Sequence, residues 1–154
     1  MNELGDKLKE QFYQKLFPTI AIRQGGIYKV VDDPANPIVK FPEDNLPSEH
    51  PRSKRTFHNQ RYVVVAQNDN LNNDNHFTHV LVIPLSSKGR ETPLTVMIPD
   101  DYLAQELPGP SCALVYLSQP ILKVFLEKEV GFITPSDDIF TTIRSIYLRI
   151  LGII

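Results

Sequence analysis

Two near-continuous apolar runs limit most tightly what this chain can fold into. Residues 61–67 read Arg-Tyr-Val-Val-Val-Ala-Gln, and residues 79–85 read His-Val-Leu-Val-Ile-Pro-Leu, with an Asn/Asp-rich loop between them. Runs that are rich in β-branched residues and bounded by such loops are typical of strands covered on both faces. The sequence therefore predicts a mainly β fold with these two strands at the centre of its sheet.

Shorter runs predict the remaining strands. Residues 24–31 open with a glycine pair and continue into a β-branched and aromatic run, and residues 94–98 and 112–117 follow the same pattern. Residues 119–126 are a candidate for the last strand. Five or six short strands of this kind imply a small barrel.

Amphipathic helices are predicted at both ends of the chain. The apolar residues of the first recur at helical spacing ahead of Pro18: Leu4, Leu8, Phe12, Leu16 and Phe17. They predict a helix over residues 3–17. Residues 136–138 read Ser-Asp-Asp and precede apolar residues at i, i+3 and i+4 spacing. This pattern predicts an N-capped helix that runs to about Leu151.

Length and composition restrict the class of protein. A chain of 154 residues fits one domain over residues 1–154, and a formal net charge of -2 requires any nucleic-acid site to be a local patch. The single cysteine, Cys112, excludes an internal disulfide and favours a reducing compartment. The N-terminus lacks a signal-peptide pattern, and no stretch approaches the ~18 apolar residues of a membrane span. We therefore expect a cytoplasmic protein.

A long segment between the first two strands, residues 33–60, carries five prolines and little apolar periodicity. Loops of this length in small domains are commonly either functional or disordered. Its last part gathers the densest positive charge of the chain, together with an aromatic and an imidazole, in Arg52, Lys54, Arg55, Phe57 and His58. Taken singly, each of these residues could equally belong to a solvated charge run.

Several blocks, read in order, resemble the MazF/PemK toxin family. Residues 24–28 read Gln-Gly-Gly-Ile-Tyr, residues 61–69 begin Arg-Tyr-Val-Val-Val, and residues 82–88 read Val-Ile-Pro-Leu-Ser-Ser-Lys. Residues 112–119, 127–133 and 148–152 are similar to the last strands and the closing helix of that family. No single block is specific, but their order and spacing fit, over roughly residues 24–154. The helix within residues 1–18 would be an addition.

This resemblance implies a fold and an activity. The family has an SH3-like barrel, forms homodimers and cleaves single-stranded RNA without a metal ion, which inhibits growth. A cognate antitoxin restrains the toxin by placing its tail in the RNA groove. By this resemblance the loop over residues 33–60 would gate that groove.

Cleavage of RNA without metal uses the ribose 2'-hydroxyl as nucleophile, so the protein must move protons and stabilise charge on the phosphoryl oxygens. The resemblance assigns Arg61, at the head of the second strand, and Ser86, at the end of the third, to the phosphate. A guanidinium can grip a phosphate through two parallel hydrogen bonds. The alternatives are an arginine on a solvated strand edge and a serine that merely ends a strand.

Loop residues complete the predicted site. His58 is the expected proton-transfer group, since an imidazole titrates near neutral pH; the competing interpretation, somewhat favoured for a histidine taken singly, is an ordinary exposed loop residue. Arg52, Lys54 and Arg55 would follow the phosphates, and Phe57 would stack on a base. The remaining predicted RNA contacts are Gln24, Ser87, Lys88 and Gln119.

Two departures from the family pattern favour a second hypothesis. The usual arginine and aspartate around the first glycine are Gln24 and Gly26 here, and an acidic residue that some members carry before the glutamine of the fifth strand is Ser118. Loss of a general base costs about 10²–10⁴-fold in rate. The alternative is therefore a catalytically inactive relative, or a gyrase-type binder like the related CcdB toxins. The long loop and first helix could also belong to a partner interface.

The spacing of the histidines does not favour a metal site. His76 and His79 lie near Asp74, but odd spacing at the start of a strand directs the two imidazoles to opposite faces, and no further ligand follows at a regular interval. Phosphate-binding and dinucleotide-binding motifs are absent from the sequence. The expectation is that the protein uses no metal and no cofactor.

Overall fold

The computed structural model describes residues 3–5, 18, 20–31, 37–42, 61–102 and 110–153. Within them lie seven strands: β1 (Gly26–Val30), β2 (Arg61–Val65), β3 (His79–Ser86), β4 (Val96–Ile98), β5 (Ser111–Ala113), β6 (Gln119–Leu122) and β7 (Leu126–Phe132). A short helix α1 spans Asp69–Asn72, and a long helix α2 spans Asp138–Ile150. Residues 3–5 are helical, while the rest of the predicted first helix lies outside the described residues.

All the strands join one antiparallel sheet in the order β4-β5-β3-β2-β1-β7, and β6 pairs with β3 beside this path. The sheet forms a half-barrel, and α2 packs against one of its faces. The predicted fold class, mainly β with flanking helices, is confirmed. In the described part of the chain, no helix is long and apolar enough to cross a membrane.

The strand count exceeds the predicted five or six for a physical reason. The predicted strand over residues 112–117 breaks after Ala113 into the 3₁₀ turn Val115–Leu117, and the predicted strand over residues 119–126 ends at Leu122. A further strand, β7, then forms at the edge of the sheet. Its charged residues 127–129 are exposed, which hides the apolar pattern that predicts a strand.

Hydrophobic clusters cover the two faces of the sheet. On the first face, strand residues such as Ile27, Val64 and Ile83 pack against Phe140 and Ile143 of α2. Each such fully buried side chain contributes about 1.5–3 kcal/mol. The helix begins where predicted, because the Asp137 carboxylate accepts a 2.9 Å hydrogen bond from the Ile139 amide.

On the second face, strand residues pack against a segment from the long loop. Val63, Val82 and Cys112 lie in one buried cluster with Val39 and Phe41. Helix α2 therefore covers one face of the sheet, and loop residues cover part of the other.

The turn before β1 depends on Gly25. Its φ of 85° lies in the left-handed region, its amide donates to the Val65 carbonyl (2.8 Å), and its carbonyl accepts from the Ile133 amide (2.8 Å). A Cβ at this position would overlap the Ile133 carbonyl oxygen. Gly25 therefore joins the ends of β2 and β7 in a way that a larger residue would block.

We predict that Gly25→Ala lowers the free energy of unfolding by more than about 3 kcal/mol, because strain and backbone overlap add. Gly152→Ala is the matched control: Gly152 also has a positive φ, of 76°, but nothing lies within 4 Å of an added Cβ. Gly152→Ala should therefore lower the free energy of unfolding only by the conformational cost of a positive φ, about 1–2 kcal/mol. Urea unfolding of both variants measures the difference, and equal losses would contradict the overlap at Gly25.

Tyr28 anchors the residues before β1 to the sheet. Its buried hydroxyl donates to the Ala21 carbonyl (3.0 Å) and accepts from the Arg23 amide (3.0 Å). The Arg23 guanidinium binds the Glu129 carboxylate through its Nε at 3.0 Å and lies 3.5 Å above the Phe132 ring. Burial, above all, raises the pKa of Tyr28 to about 12.

This raised pKa predicts a loss of stability in alkali. An unfolded tyrosine loses its proton near pH 10, whereas folded Tyr28 keeps its proton to about pH 12. The corresponding stability is present below pH 10 and is lost as the pH rises through 12. Tyr28→Phe should lose about 1 kcal/mol at neutral pH but show a smaller further loss between about pH 9 and 11.5 than the wild type. Urea unfolding across this range checks it, and parallel pH profiles would refute it.

Candidate functional site

The register of the sheet brings Arg61 and Ser86 together. Tyr62 lies opposite Leu85, so the next pair along the two antiparallel strands is Arg61 and Ser86. Side chains directly opposite each other project from the same face, with Cβ atoms about 5 Å apart. Ser86 is in turn opposite Cys112, which packs in the cluster with Val39 and Phe41. Both predicted phosphate-binding side chains therefore lie on the face opposite α2.

Arg61 is buried rather than solvated. The residue is only 6% exposed, and its Nη1 donates to the Val39 carbonyl. Its guanidinium carbon lies 4.2 Å from the centre of the Phe41 ring, within the range of a cation–π interaction. Arg61 is thus a positive charge held at low dielectric, which strengthens its attraction for an anion. The alternative of an arginine on a solvated strand edge does not fit this burial.

Ser86 ends β3 in a turn and keeps a free donor function. Its Oγ accepts a 3.2 Å hydrogen bond from the Lys88 amide. A hydroxyl that accepts can still donate its own proton, so the turn role and a phosphate-binding role are compatible. Ser87 and Lys88 are exposed in the same turn. The three residues therefore form the end of the sheet nearest Arg61.

Gln119 lies on the same face, farther along the sheet. It is opposite Val82 in the β3–β6 pairing. Its Oε1 accepts from the Lys40 amide (2.8 Å), and its Nε2 donates to the carbonyls of Lys40 and Leu117 (3.0 Å each). Gln119 is thus engaged with the chain's own backbone.

Gln24 is not brought to the Arg61–Ser86 pair. Its side chain donates to the Ala66 carbonyl (2.9 Å), just after the opposite end of β2 from Arg61. Five residues of extended chain separate these positions, roughly 16 Å. The Gln24 amide also donates to the Asp69 carboxylate (2.7 Å), so the residue joins the first strand to α1.

Ser118, at the position where a carboxylate is missing, contacts helix α2. Its hydroxyl donates to the Val115 carbonyl (2.6 Å) and shares a hydrogen bond with the Tyr147 hydroxyl of α2. Burial raises the pKa of Tyr147, so that hydroxyl stays protonated there. In this chain, the side chain at position 118 therefore contacts the helix.

The predicted loop contributors lie outside the described residues. They are Arg52, Lys54, Arg55, Phe57 and His58. The part of the loop that is described, residues 37–42, supplies contacts that sequence reasoning missed. Val39 and Phe41 are the buried residues of this segment. The available signal was the short apolar run Ile38-Val39-Lys40-Phe41 between two prolines.

The two histidines near Asp74 have local partners. His76 Nδ1 lies 2.9 Å from the Asp74 carboxylate, and His79 Nδ1 lies 3.0 Å from the Thr78 hydroxyl. Hydrogen bonding with His76 lowers the pKa of Asp74. No group of three or more His, Cys, Asp or Glu residues that could hold a metal occurs among the residues described.

Solved toxin structures share this fold. The Mycobacterium tuberculosis toxin MazF-mt6 has a TM-score of 0.53 and 17% identity, over 64% of this chain and 92% of its own. A mycobacterial endoribonuclease in complex with its cognate antitoxin has a TM-score of 0.56 and 16% identity, and the match covers 87% of this chain and 98% of that one. A chain of the MazE–MazF complex from Deinococcus radiodurans has a TM-score of 0.58 and 12% identity, and the match covers 88% of this chain and 99% of that one. At such identities the likeness shows the fold.

A comparison with curated proteins gives no match. A family model described as PemK-like, MazF-like toxin of type II toxin-antitoxin system matches residues 46–145. This range contains Arg61, Ser86 and Gln119, while the glycine pair Gly25-Gly26 at the start of β1 precedes it. Because the match covers more than half of the sequence, the chain belongs to the family of PemK-like, MazF-like toxins of type II toxin–antitoxin systems.

Proposed function

We propose that this toxin is an endoribonuclease that cleaves single-stranded RNA without a metal ion and thereby inhibits growth. The observation that carries the proposal is the register of β2 and β3, which, continued by one pair beyond Tyr62 and Leu85, sets Arg61 opposite Ser86 on the sheet face that α2 does not cover. A guanidinium and a hydroxyl at this spacing can both reach the oxygens of one phosphate.

The proposed reaction is attack of the ribose 2'-oxygen on the adjacent phosphorus. The new bond joins the 2'-oxygen to phosphorus, and the bond from phosphorus to the 5'-oxygen breaks. The 2'-hydroxyl proton passes to a base, and the leaving 5'-oxygen takes up a proton, which gives a cyclic phosphate and a 5'-hydroxyl end. Arg61 stabilises the charge on the phosphoryl oxygens, and Ser86 donates to one of them. His58, three residues before Arg61, is proposed as the proton-transfer group.

The rest of the RNA would bind beside this pair. Arg52, Lys54 and Arg55 are proposed to follow the phosphate backbone, and Phe57 to stack on a base. Ser87 and Lys88, exposed next to Ser86, extend the same surface. A local basic patch of this kind is consistent with the net charge of -2.

The proposal includes a partner and an assembly. We propose that the toxin works as a homodimer in the cytoplasm and is restrained by a cognate antitoxin. Support comes from the structural neighbours, which include an endoribonuclease solved with its cognate antitoxin and a MazE–MazF complex. The proposed substrate is single-stranded RNA, bound without a metal or cofactor.

A second candidate is a non-catalytic binding relative on the same sheet. The observation that favours it is the burial of Arg61 beneath Val39 and Phe41, which keeps a substrate from the guanidinium in this conformation. The two candidates differ in whether the purified protein cuts RNA when all metal is chelated.

We predict discrete cuts in a mixed single-stranded RNA incubated with the wild type in excess EDTA, with 5'-hydroxyl and cyclic-phosphate ends. Arg61→Ala should lower the cleavage rate by about 10²–10³-fold, because a charge-stabilising donor is lost. Arg61→Lys should recover little of it, since lysine cannot form the paired hydrogen bonds. End-mapping of the products measures both.

Arg144→Ala is the matched control for these variants. Arg144 also donates to a backbone carbonyl, that of Pro135 (2.7 Å), and its guanidinium lies 4.8 Å from a phenylalanine ring, but it belongs to α2 on the other face. It should cleave like the wild type. RNA left intact by folded, antitoxin-free wild type would refute the enzyme proposal, and full activity in Arg61→Ala would remove Arg61 from the site.

Ser86 gives a separate prediction. Ser86→Ala should slow cleavage about tenfold through loss of one hydrogen bond to the phosphate. Ser86→Thr keeps the hydroxyl and should restore most of the rate. Single-turnover cleavage of the same RNA measures all three proteins. If the alanine variant matches the wild type, Ser86 serves only to end its strand.

A further inference from the structure

A short segment of the long loop lies across the proposed RNA site. This segment, residues 37–42, is called the strap here. Its side chains alternate: Val39 and Phe41 are buried in the cluster on the Arg61 face, whereas Lys40 between them is exposed. Val39 and Phe41 thus pack on the sheet, and the backbone of the strap lies within hydrogen-bond distance of Arg61 and Gln119.

The strap occupies Arg61 directly. The Val39 carbonyl accepts from Nη1, and the Phe41 ring lies over the guanidinium. Arg61 is only 6% exposed in this conformation, and the strap supplies two of the contacts that cover its guanidinium. A carbonyl oxygen and an aromatic face here take the place that a phosphate would take. A competent site therefore requires that the strap leave.

Gln119 holds the strap at Lys40, the residue between Val39 and Phe41. The Gln119 amide clamps Lys40 from both sides, accepting from its N–H and donating to its carbonyl. The second Nε2 hydrogen is donated to the Leu117 carbonyl. A glutamine amide has two hydrogens, and both are used. In this conformation, Gln119 has no hydrogen to offer to RNA, although sequence reasoning assigns it to RNA binding.

We propose that Gln119 is a latch that pins the strap over Arg61, so that this structure is a resting state from which RNA must displace the strap. The inference rests on the proposed function and adds regulation of the same site. A latch of a few hydrogen bonds makes the binding-competent state a minor one without abolishing it. The apparent affinity for RNA is then reduced by the fraction of molecules in which the strap is closed.

The latch and a direct RNA contact predict opposite effects of the same change. If Gln119 contacts RNA, Gln119→Ala weakens binding. If Gln119 closes the strap, Gln119→Ala releases Lys40 and strengthens binding. We expect RNA to bind about fivefold to tenfold more tightly, the effect of removing roughly one net hydrogen bond that favours the closed state.

The experiment measures binding of a mixed-sequence 2'-O-methyl single-stranded RNA, whose blocked 2'-oxygens prevent cleavage. Hydrogen exchange of residues 37–42 is followed in the same proteins without RNA. In Gln119→Ala the Lys40 amide should exchange about fivefold to tenfold faster than in the wild type. Urea unfolding establishes that each variant is folded.

Two further variants separate the latch from other effects. Lys40→Pro removes the backbone N–H that donates to Gln119, while Gln119 itself stays intact. Lys40→Ala is its reference, because both variants lose the lysine charge. The proline variant should bind RNA more tightly than the alanine variant. Gln67→Ala is the matched control. Gln67 makes the same kind of contact, with its amide on the backbone of His79 and Leu81, but away from the strap. It should leave RNA affinity unchanged.

Tighter binding and faster exchange in Gln119→Ala, with Gln67→Ala like the wild type, support the latch. Binding that is weaker or unchanged in Gln119→Ala overturns it and leaves the proposed ribonuclease standing. If none of the folded proteins binds RNA, both the proposed function and the latch are refuted. These results distinguish the failure of one from the failure of the other.

Discussion

The register between β2 and β3 is the constraint on which the proposed site depends. With Tyr62 opposite Leu85, the odd-numbered residues of β2 face the strap and the even-numbered ones face α2. A slip of one residue would turn Arg61 toward the helix and separate it from Ser86. The two apolar clusters prevent that slip, because each depends on the same alternation. Core packing and the site are therefore fixed by one arrangement.

The elements could be predicted from sequence better than their contacts. The strands at residues 61–65 and 79–86 and the capped helix at Asp138 follow from apolar patterns and a capping carboxylate, which act locally. The apolar pattern does not predict the edge strand β7, because residues 127–129 are charged and exposed; only the resemblance to the toxin family covers this segment. The orientation of Ser118 could not be predicted from the sequence, because a 3₁₀ turn interrupts an apolar run that looks like one continuous strand.

The placement of Arg61 shows where sequence reasoning ends. Its position at the head of a strand could be predicted, and so could the proximity of Ser86 once antiparallel pairing was assumed. Its burial could not, because the covering residues Val39 and Phe41 lie twenty or more positions earlier, in a proline-containing loop without periodicity. The role of Gln119 depends on the same non-local contact. The burial of Arg61 and the engagement of Gln119 are thus set by contacts between segments that are distant in the sequence.

The central claim is that Arg61 and Ser86 act on one phosphate, and a double-mutant cycle tests it most directly. Metal-free RNA cleavage rates would be measured for the wild type, Arg61→Ala, Ser86→Ala and the double variant, each shown to be folded. Residues that stabilise the same charge are strongly non-additive, so the double variant should cleave little more slowly than Arg61→Ala alone. Rate losses that simply multiply would mean that the two side chains act independently, and would contradict a shared phosphate site.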